Sequence, residues 1–183
     1  MDPKKVLKDI EKEAKKMSWP IVGSKKGKLL KQLIKFYQPK NILEVGCLVG
    51  YSSILMSQSL PKDGKITTIE INPEIAKVAK SNFEKAGVKK LIDLEVGDAM
   101  KVIPKLSKTF DFVFLDAEKG EYYSYILLIE NKLAPNAIIV ADNVKMFENE
   151  VRDYLDYVRL NSHYESENFD FGNDAMEVSF LRA

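Results

Sequence analysis

Two short apolar runs constrain this 183-residue chain more than any other feature. Residues 42–50 read Ile-Leu-Glu-Val-Gly-Cys-Leu-Val-Gly, and residues 66–71 read Ile-Thr-Thr-Ile-Glu-Ile. Each is β-type sequence carrying a carboxylate near its end, and the first runs straight into a glycine-bounded turn. A parallel α/β sheet uses such strand ends to hold the nucleoside half of a ligand.

The rest of the chain repeats the alternation. Strands are expected at about 41–45, 65–71, 91–96, 110–116 and 137–142. Helices are expected between them, at about 51–59, from Pro73 to near Gly87, briefly after Asp98, at about 121–133 and at about 147–160. Asn72-Pro73-Glu74 is a helix start: an Asn cap, a proline at the first helical position and an acid in the first turn. Two amphipathic helices, at about 3–16 and 27–37, precede the first strand, with Gly23 to Gly27 read as a polar turn. Two last strands, near 163–171 and 175–182, have no helix between them and should pair antiparallel at one edge. The expected fold is α/β: one domain over 1–183, a mostly parallel seven-stranded sheet with helices on both faces, and residues 1–38 capping the substrate side.

Composition narrows the function classes. The net charge of +1 conceals an asymmetry: residues 1–40 hold twelve lysines against four acids. A basic segment serves nucleic acid, an acidic substrate or a solvated helix face. No apolar run is long enough to span a membrane, and the lysine-rich start does not read as a secretory leader. The single cysteine, Cys47, excludes a disulfide framework and a cysteine zinc cluster within one chain, and suits a reducing cytoplasm. It is read as a small buried filler.

The first turn has the spacing Gly46-x-x-x-Gly50, not the denser Gly-x-Gly-x-x-Gly of a dinucleotide site. Glu44 before it would repel a pyrophosphate but suits an ammonium. S-adenosylmethionine carries an ammonium and a sulfonium and no phosphate. Glu70 at the end of the second strand can accept from both ribose hydroxyls. Asp98, after the third strand, can accept from an adenine amino group. The plainer readings are a solvated edge for Glu44 and a helix cap for Asp98; acids at three successive strand ends favour a ligand site.

The fourth strand ends in Asp116, three residues before Lys119, and the fifth in Asp142-Asn143. Neighbouring parallel strands lie about 4.8 Å apart, so these ends converge. Two carboxylates and an amide oxygen are hard ligands suited to Mg²⁺, and no His or Cys is at hand for zinc. A divalent ion would disfavour the ammonium form of Lys119 and make it a usable base; the plainer reading is an exposed loop lysine. Tyr122 and Tyr123 read as pocket lining or as packing, Trp19 as an acceptor cap or as core, and His163 as structural or exposed.

Taken together, Gly27-Lys28, Ile42 to Gly46, Gly50-Tyr51-Ser52, Thr68 to Pro73, Val113 to Asp116, Lys119 and Ala141 to Val144 resemble the cation-dependent O-methyltransferases. That group includes the catechol and caffeoyl-CoA O-methyltransferases. The resemblance covers about 20–182 and implies a Rossmann-like class I methyltransferase fold. It implies that Glu44, Gly46, Tyr51 and Ser52 hold the methionine part of S-adenosylmethionine, Glu70 the ribose, and Asp98 with Ala99 the adenine. Gly50, Ile71 and Asp116 complete that set. Asp116, Asp142 and Asn143 would hold Mg²⁺ or a similar ion, with Lys119 as general base. The implied reaction is methyl transfer to a hydroxyl of a small catechol-like or phenolic acceptor. Nucleic acid and membrane are not expected as partners, and a homodimer is left open.

The chain departs from the pattern in three places. Ala117-Glu118 stand where the catechol enzyme has His-Trp. A late glutamate falls at Asn168, with Glu167 one step away. The loop after Asn143 is short. Two competing readings remain: an RNA methyltransferase, which the basic N-terminal segment favours and the lack of an Asn/Asp-Pro-Pro-aromatic motif opposes, and a nicotinamide-dependent or other nucleotide-binding protein, which the missing middle glycine opposes.

Overall fold

Strand β1 (Asn41–Val45) pairs in parallel with β2 (Lys65–Glu70) on one side and β4 (Phe110–Leu115) on the other. A computed structural model, describing residues 2–182, builds the remaining sheet outward from this trio. β3 (Ile92–Val96) flanks β2, and β5 (Leu133–Ala141) flanks β4, both in parallel. The chain closes with β6 (Tyr164–Asp170) and β7 (Ala175–Leu181). The full order is β3-β2-β1-β4-β5-β7-β6, with β7 running antiparallel to both its neighbours. Six strands therefore share one direction, and the C-terminal hairpin folds back so that its second strand docks first.

Alternation along the strands builds two cores. Ile42, Phe112, Phe114, Ile138 and Val140 face helices α1 (Pro3–Met17), α2 (Gly23–Tyr37), α3 (Tyr51–Ser57) and α4 (Pro73–Ala86). Leu43, Val45, Val113, Leu115 and Ile139 face α6 (Tyr122–Ile129) and α7 (Arg152–Leu160), with the short α5 (Ala99–Val102) beside them. Strands buried on both faces must be apolar throughout, which is why β1 and β4 are nearly continuous hydrophobic runs. α4 starts as its sequence demands: the Asn72 side chain accepts from the backbone N–H groups of Glu74 and Ile75, Pro73 follows, and Gly87 caps the far end with φ of 71°.

Two boundaries differ from the sequence pattern. Gly23 to Gly27 is the first turn of α2 rather than a polar loop. Gly27 lies where α2 crosses α3 so closely that a Cβ there would sit 2.6 Å from Leu55 Cδ1. The glycine therefore serves helix packing, and the extra turn carries Lys26 toward the open rim. α7 begins at Arg152, five residues later than expected, and residues 144–151 form turns. Among them, the Met146 N–H bonds Asp174 Oδ1 at 3.1 Å, and the Tyr122 hydroxyl donates to the Asp142 carbonyl at 3.2 Å.

The strand ladder continues past the strand ends. Gly46 N–H bonds the Ile69 carbonyl at 3.1 Å, Asp116 N–H the Val45 carbonyl at 2.9 Å, and Asp142 N–H the Leu115 carbonyl at 2.9 Å. The residues that leave the sheet are thus still held in register. Gly46 has φ of 102°, and a Cβ on it would lie 2.3 Å from the Asp116 carbonyl oxygen. Gly46→Ala combines a backbone that L-residues rarely adopt with a clash against main chain. It should cost at least about 2 kcal/mol, read as a lower urea midpoint with an unchanged slope.

Candidate active site

The carboxyl ends of β1, β2, β4 and β5 open into a cavity of about 930 Å³. Its walls include Gly46, Tyr51 and Ser52 from the first turn, Glu70 and Ile71 after β2, and Asp98 and Ala99 after β3. Asp116, Lys119, Asp142 and Asn143 line the opposite part. Glu44 and Gly50 do not. Gly50 instead precedes α3 at φ of 83°, where a Cβ would sit 2.4 Å from Phe83 Cε1. Glu44 lies fully buried behind the wall, where Ser53 and Thr68 hydroxyls donate to Oε2 and Oε1 has no partner. Burial pushes its carboxyl above the usual carboxylate range, against the opposing hydrogen bonds from Ser52, Ser53 and Thr68.

On the cofactor side each acid is already half committed. Glu70 accepts the Leu48 N–H at 2.7 Å and the Asn72 N–H at 2.9 Å, which fixes its carboxylate in the cavity wall. Asp98 caps Met100 at 2.9 Å and pairs with Lys101 at 3.1 Å, so it is a helix cap and a wall residue together. Ile71 is 70% exposed at the rim, an apolar surface that a planar ligand would cover. The Tyr51 hydroxyl donates to Glu11 at 2.6 Å and so ties α3 to α1.

On the opposite side, register puts Asp116 and Asp142 next to each other. Burial raises both carboxyls; Lys119 chiefly opposes the rise at Asp116 and Lys26 at Asp142, while Asp142 adds to it at Asp116. Lys119 Nζ stands 2.9 Å from Asp116 Oδ1 and 2.9 Å from the Tyr122 hydroxyl. Tyr122 is fully buried, donates toward the Leu115 carbonyl at 3.0 Å, and is kept a neutral phenol by burial. It is packing and a lysine support at once. Asn143 adopts the left-handed region with φ of 62°, a conformation that asparagine tolerates better than most residues.

Two participants carried no signal in the sequence. Lys26 Nζ lies 2.5 Å from Asp142 Oδ1 and 2.5 Å from Asp174 Oδ2. Asp174 also accepts from Asn143 Nδ2 at 2.6 Å. Lys26 sits in a lysine-rich stretch that looks uniformly solvated, and Asp174 follows Gly172-Asn173 and looks like a hairpin-turn residue. The α1–α2 connection reaches the cavity through Pro20, Ile21 and Val22, while Trp19 packs against the core instead. Neither Glu167 nor Asn168 reaches the cavity, and Asn168 Nδ2 donates to Glu177 at 2.8 Å. His163 is exposed at the start of the last hairpin.

Asp116, Asp142 and the Asn143 amide form a hard oxygen donor set able to accept Mg²⁺ or Mn²⁺, with further positions left for water or substrate oxygens. Among the described residues no group of three or more His, Cys, Asp or Glu is arranged to hold a metal ion, so a third protein donor here would be the Asn143 amide oxygen. The buried carboxylate pair, compensated here by two ammonium groups, fits such an ion.

Comparison with known proteins agrees with this architecture. The O-methyltransferase family model matches residues 1–167. The chain belongs to the O-methyltransferase family. Catechol O-methyltransferase of Mus musculus is 32% identical over 97% of this chain and 69% of its own length. Catechol O-methyltransferase of Niastella koreensis is 39% identical over 67% of this chain, and the match spans only 58% of that protein. The crystal structure of the O-methyltransferase TomG from Streptomyces achromogenes in complex with SAM superposes with a TM-score of 0.89 at 28% identity, covering 97% of this chain and 90% of that one.

Glu44 gives a direct test of its place behind the wall. Its raised carboxyl means that the fold binds a proton more tightly than the unfolded chain, so stability falls as pH rises above the unfolded value of about 4.3. Glu44→Gln should raise the thermal midpoint at pH 8, with the gain shrinking toward pH 4. S-adenosylhomocysteine affinity should change less than about tenfold, equivalent to ~1.4 kcal/mol; calorimetric titration showing a larger loss would place Glu44 in direct contact with the ammonium.

Proposed function

We propose that this protein transfers the methyl group of S-adenosylmethionine to a hydroxyl of a small catechol-like or phenolic acceptor, with a divalent ion, Mg²⁺ or a similar metal, at the rim. The observation that carries the reading is the pair of adjacent, largely buried carboxylates, Asp116 and Asp142, with Lys119 bonded to Asp116, in the same cavity that Glu70 and Asp98 line. Glu70 would hold the ribose hydroxyls, Asp98 and Ala99 the adenine end, and Gly46, Tyr51 and Ser52 the methionine end. Asp116, Asp142 and Asn143 would hold the ion, which when bound supplies Lewis-acid polarisation of the acceptor oxygen.

The remaining work falls to the chain's own groups. With an ion in place to compensate the carboxylates, Lys119 would act as the neutral amine, braced by the Tyr122 hydroxyl, and accept the acceptor's proton at Nζ. Pro20, Ile21 and Met146 form an apolar wall that orients a flat acceptor and excludes water. Seven carboxylates line the cavity against two lysines, a balance that favours a neutral phenol over an RNA backbone or a polyphosphate ester. Apart from Lys26, the basic N-terminal segment contributes no lysine to this wall. A buried free Cys47 suits a reducing, cytoplasmic setting.

Methyl transfer to catechols, flavonoids and CoA esters, assayed with and without chelator, tests the reading. Transfer to a catechol should stop with chelator and return with Mg²⁺; chelator-insensitive labelling of RNA would overturn it. Asp116→Ala should lower kcat/KM at least about 100-fold in a chain that still folds, read as a retained circular-dichroism spectrum. S-adenosylhomocysteine should stabilise the protein in a thermal-shift panel; stabilisation by NAD alone would refute the methyltransferase assignment.

A further inference from the structure

Asparagine binds a cation only through its carbonyl oxygen, so an Asn ligand is useful only when its amide is turned the right way. An amide torsion is broad and close to two-fold, and nothing in asparagine itself selects one face. In this protein the selection comes from Asp174, which sits buried at the start of β7. Its Oδ2 accepts from Asn143 Nδ2 at 2.6 Å and from Lys26 Nζ at 2.5 Å. Its Oδ1 accepts the backbone N–H groups of Met146 at 3.1 Å and Ala175 at 2.9 Å. One carboxylate thus receives four donors and joins the β5 rim, the acceptor wall and α2.

The geometry points to Asp174 as the positioning residue of the ion site: it holds the Asn143 amide nitrogen and so keeps the Asn143 Oδ1 presented for a divalent cation. This inference rests on the metal-dependent reading above. Lys26 completes the arrangement by holding Asp142 Oδ1, which also accepts the Asn143 N–H at 2.8 Å, so the second Asp142 oxygen is the one left for an ion. An asparagine at 174 could satisfy Met146 and Ala175 only by placing its own NH₂ toward Asn143 and Lys26. Three donors would then converge, and Asn143 would turn its oxygen toward residue 174 and away from the ion.

The test is Mn²⁺ binding, followed by electron paramagnetic resonance on the full chain, beside S-adenosylhomocysteine binding measured without metal. Asp174→Asn should weaken Mn²⁺ about 10–100-fold and leave S-adenosylhomocysteine affinity unchanged. Exchanging the partners, Asp174→Asn with Asn143→Asp, keeps the summed charge and re-pairs residue 143 with residue 174, while Lys26 keeps Asp142, and should recover most of the lost Mn²⁺ affinity. Equal Mn²⁺ binding by wild type and Asp174→Asn overturns the positioning role while leaving the metal reading intact. Failure of the wild type to bind Mn²⁺ overturns the metal reading and this inference with it. If Asp174→Asn does not fold, the exchange variant decides alone: folding with near wild-type Mn²⁺ affinity supports the role, and failure to fold or to bind overturns it.

Discussion

Parallel strand register forces Asp116 and Asp142 together. Leu115 pairs with Ala141 across β4 and β5, and the next residue on each strand is an aspartate still tied to the sheet by its own N–H. Two carboxylates in a poorly solvated site raise each other's proton affinity unless cations compensate. The protein brings that compensation from two directions, Lys119 on the turn after β4 and Lys26 on α2. Both lysine side chains are nearly buried, so these pairs owe little to exposed surface charge. Removing one partner of such a pair leaves an uncompensated buried charge, which is far costlier than the pair itself.

The same sheet geometry organises the cofactor half. Gly46 lets the backbone turn where any side chain would strike Asp116, and Glu70 is aimed by two backbone N–H groups rather than by another side chain. Both halves therefore depend on main-chain register. The two halves also carry one electrostatic character. Carboxylates dominate the cavity, and the lysine-rich N-terminal segment contributes only Lys26 to it. The charge asymmetry along the chain thus says little about the ligand; most of those lysines are distributed over the outer faces of α1 and α2.

Much of this was legible before any coordinates. The seven strands, the Asn72 cap, the antiparallel ending and the aspartates at the ends of β4 and β5 all follow from local patterns, because apolar alternation, capping and turn chemistry are written within a few residues. The failures have a common origin. Gly23 to Gly27 reads as a turn because two glycines in five residues are poor helix formers, yet Gly27 is there so that α3 can approach. Glu44 looks like a ligand contact from its place before the turn, but the side chain points into the protein, behind Ser53 and Thr68.

Local sequence was sufficient to say which residues end each strand, and parallel register then dictated that Asp116, Asp142 and Asn143 would meet. It could not say what stands behind them. Lys26, Asp142 and Asp174 lie on three elements far apart along the chain, and their contact spans 148 positions between Lys26 and Asp174. A side chain's charge is a property of its residue, but which opposite charge it faces depends on how helices and hairpins pack, and that packing assembles the support around the rim.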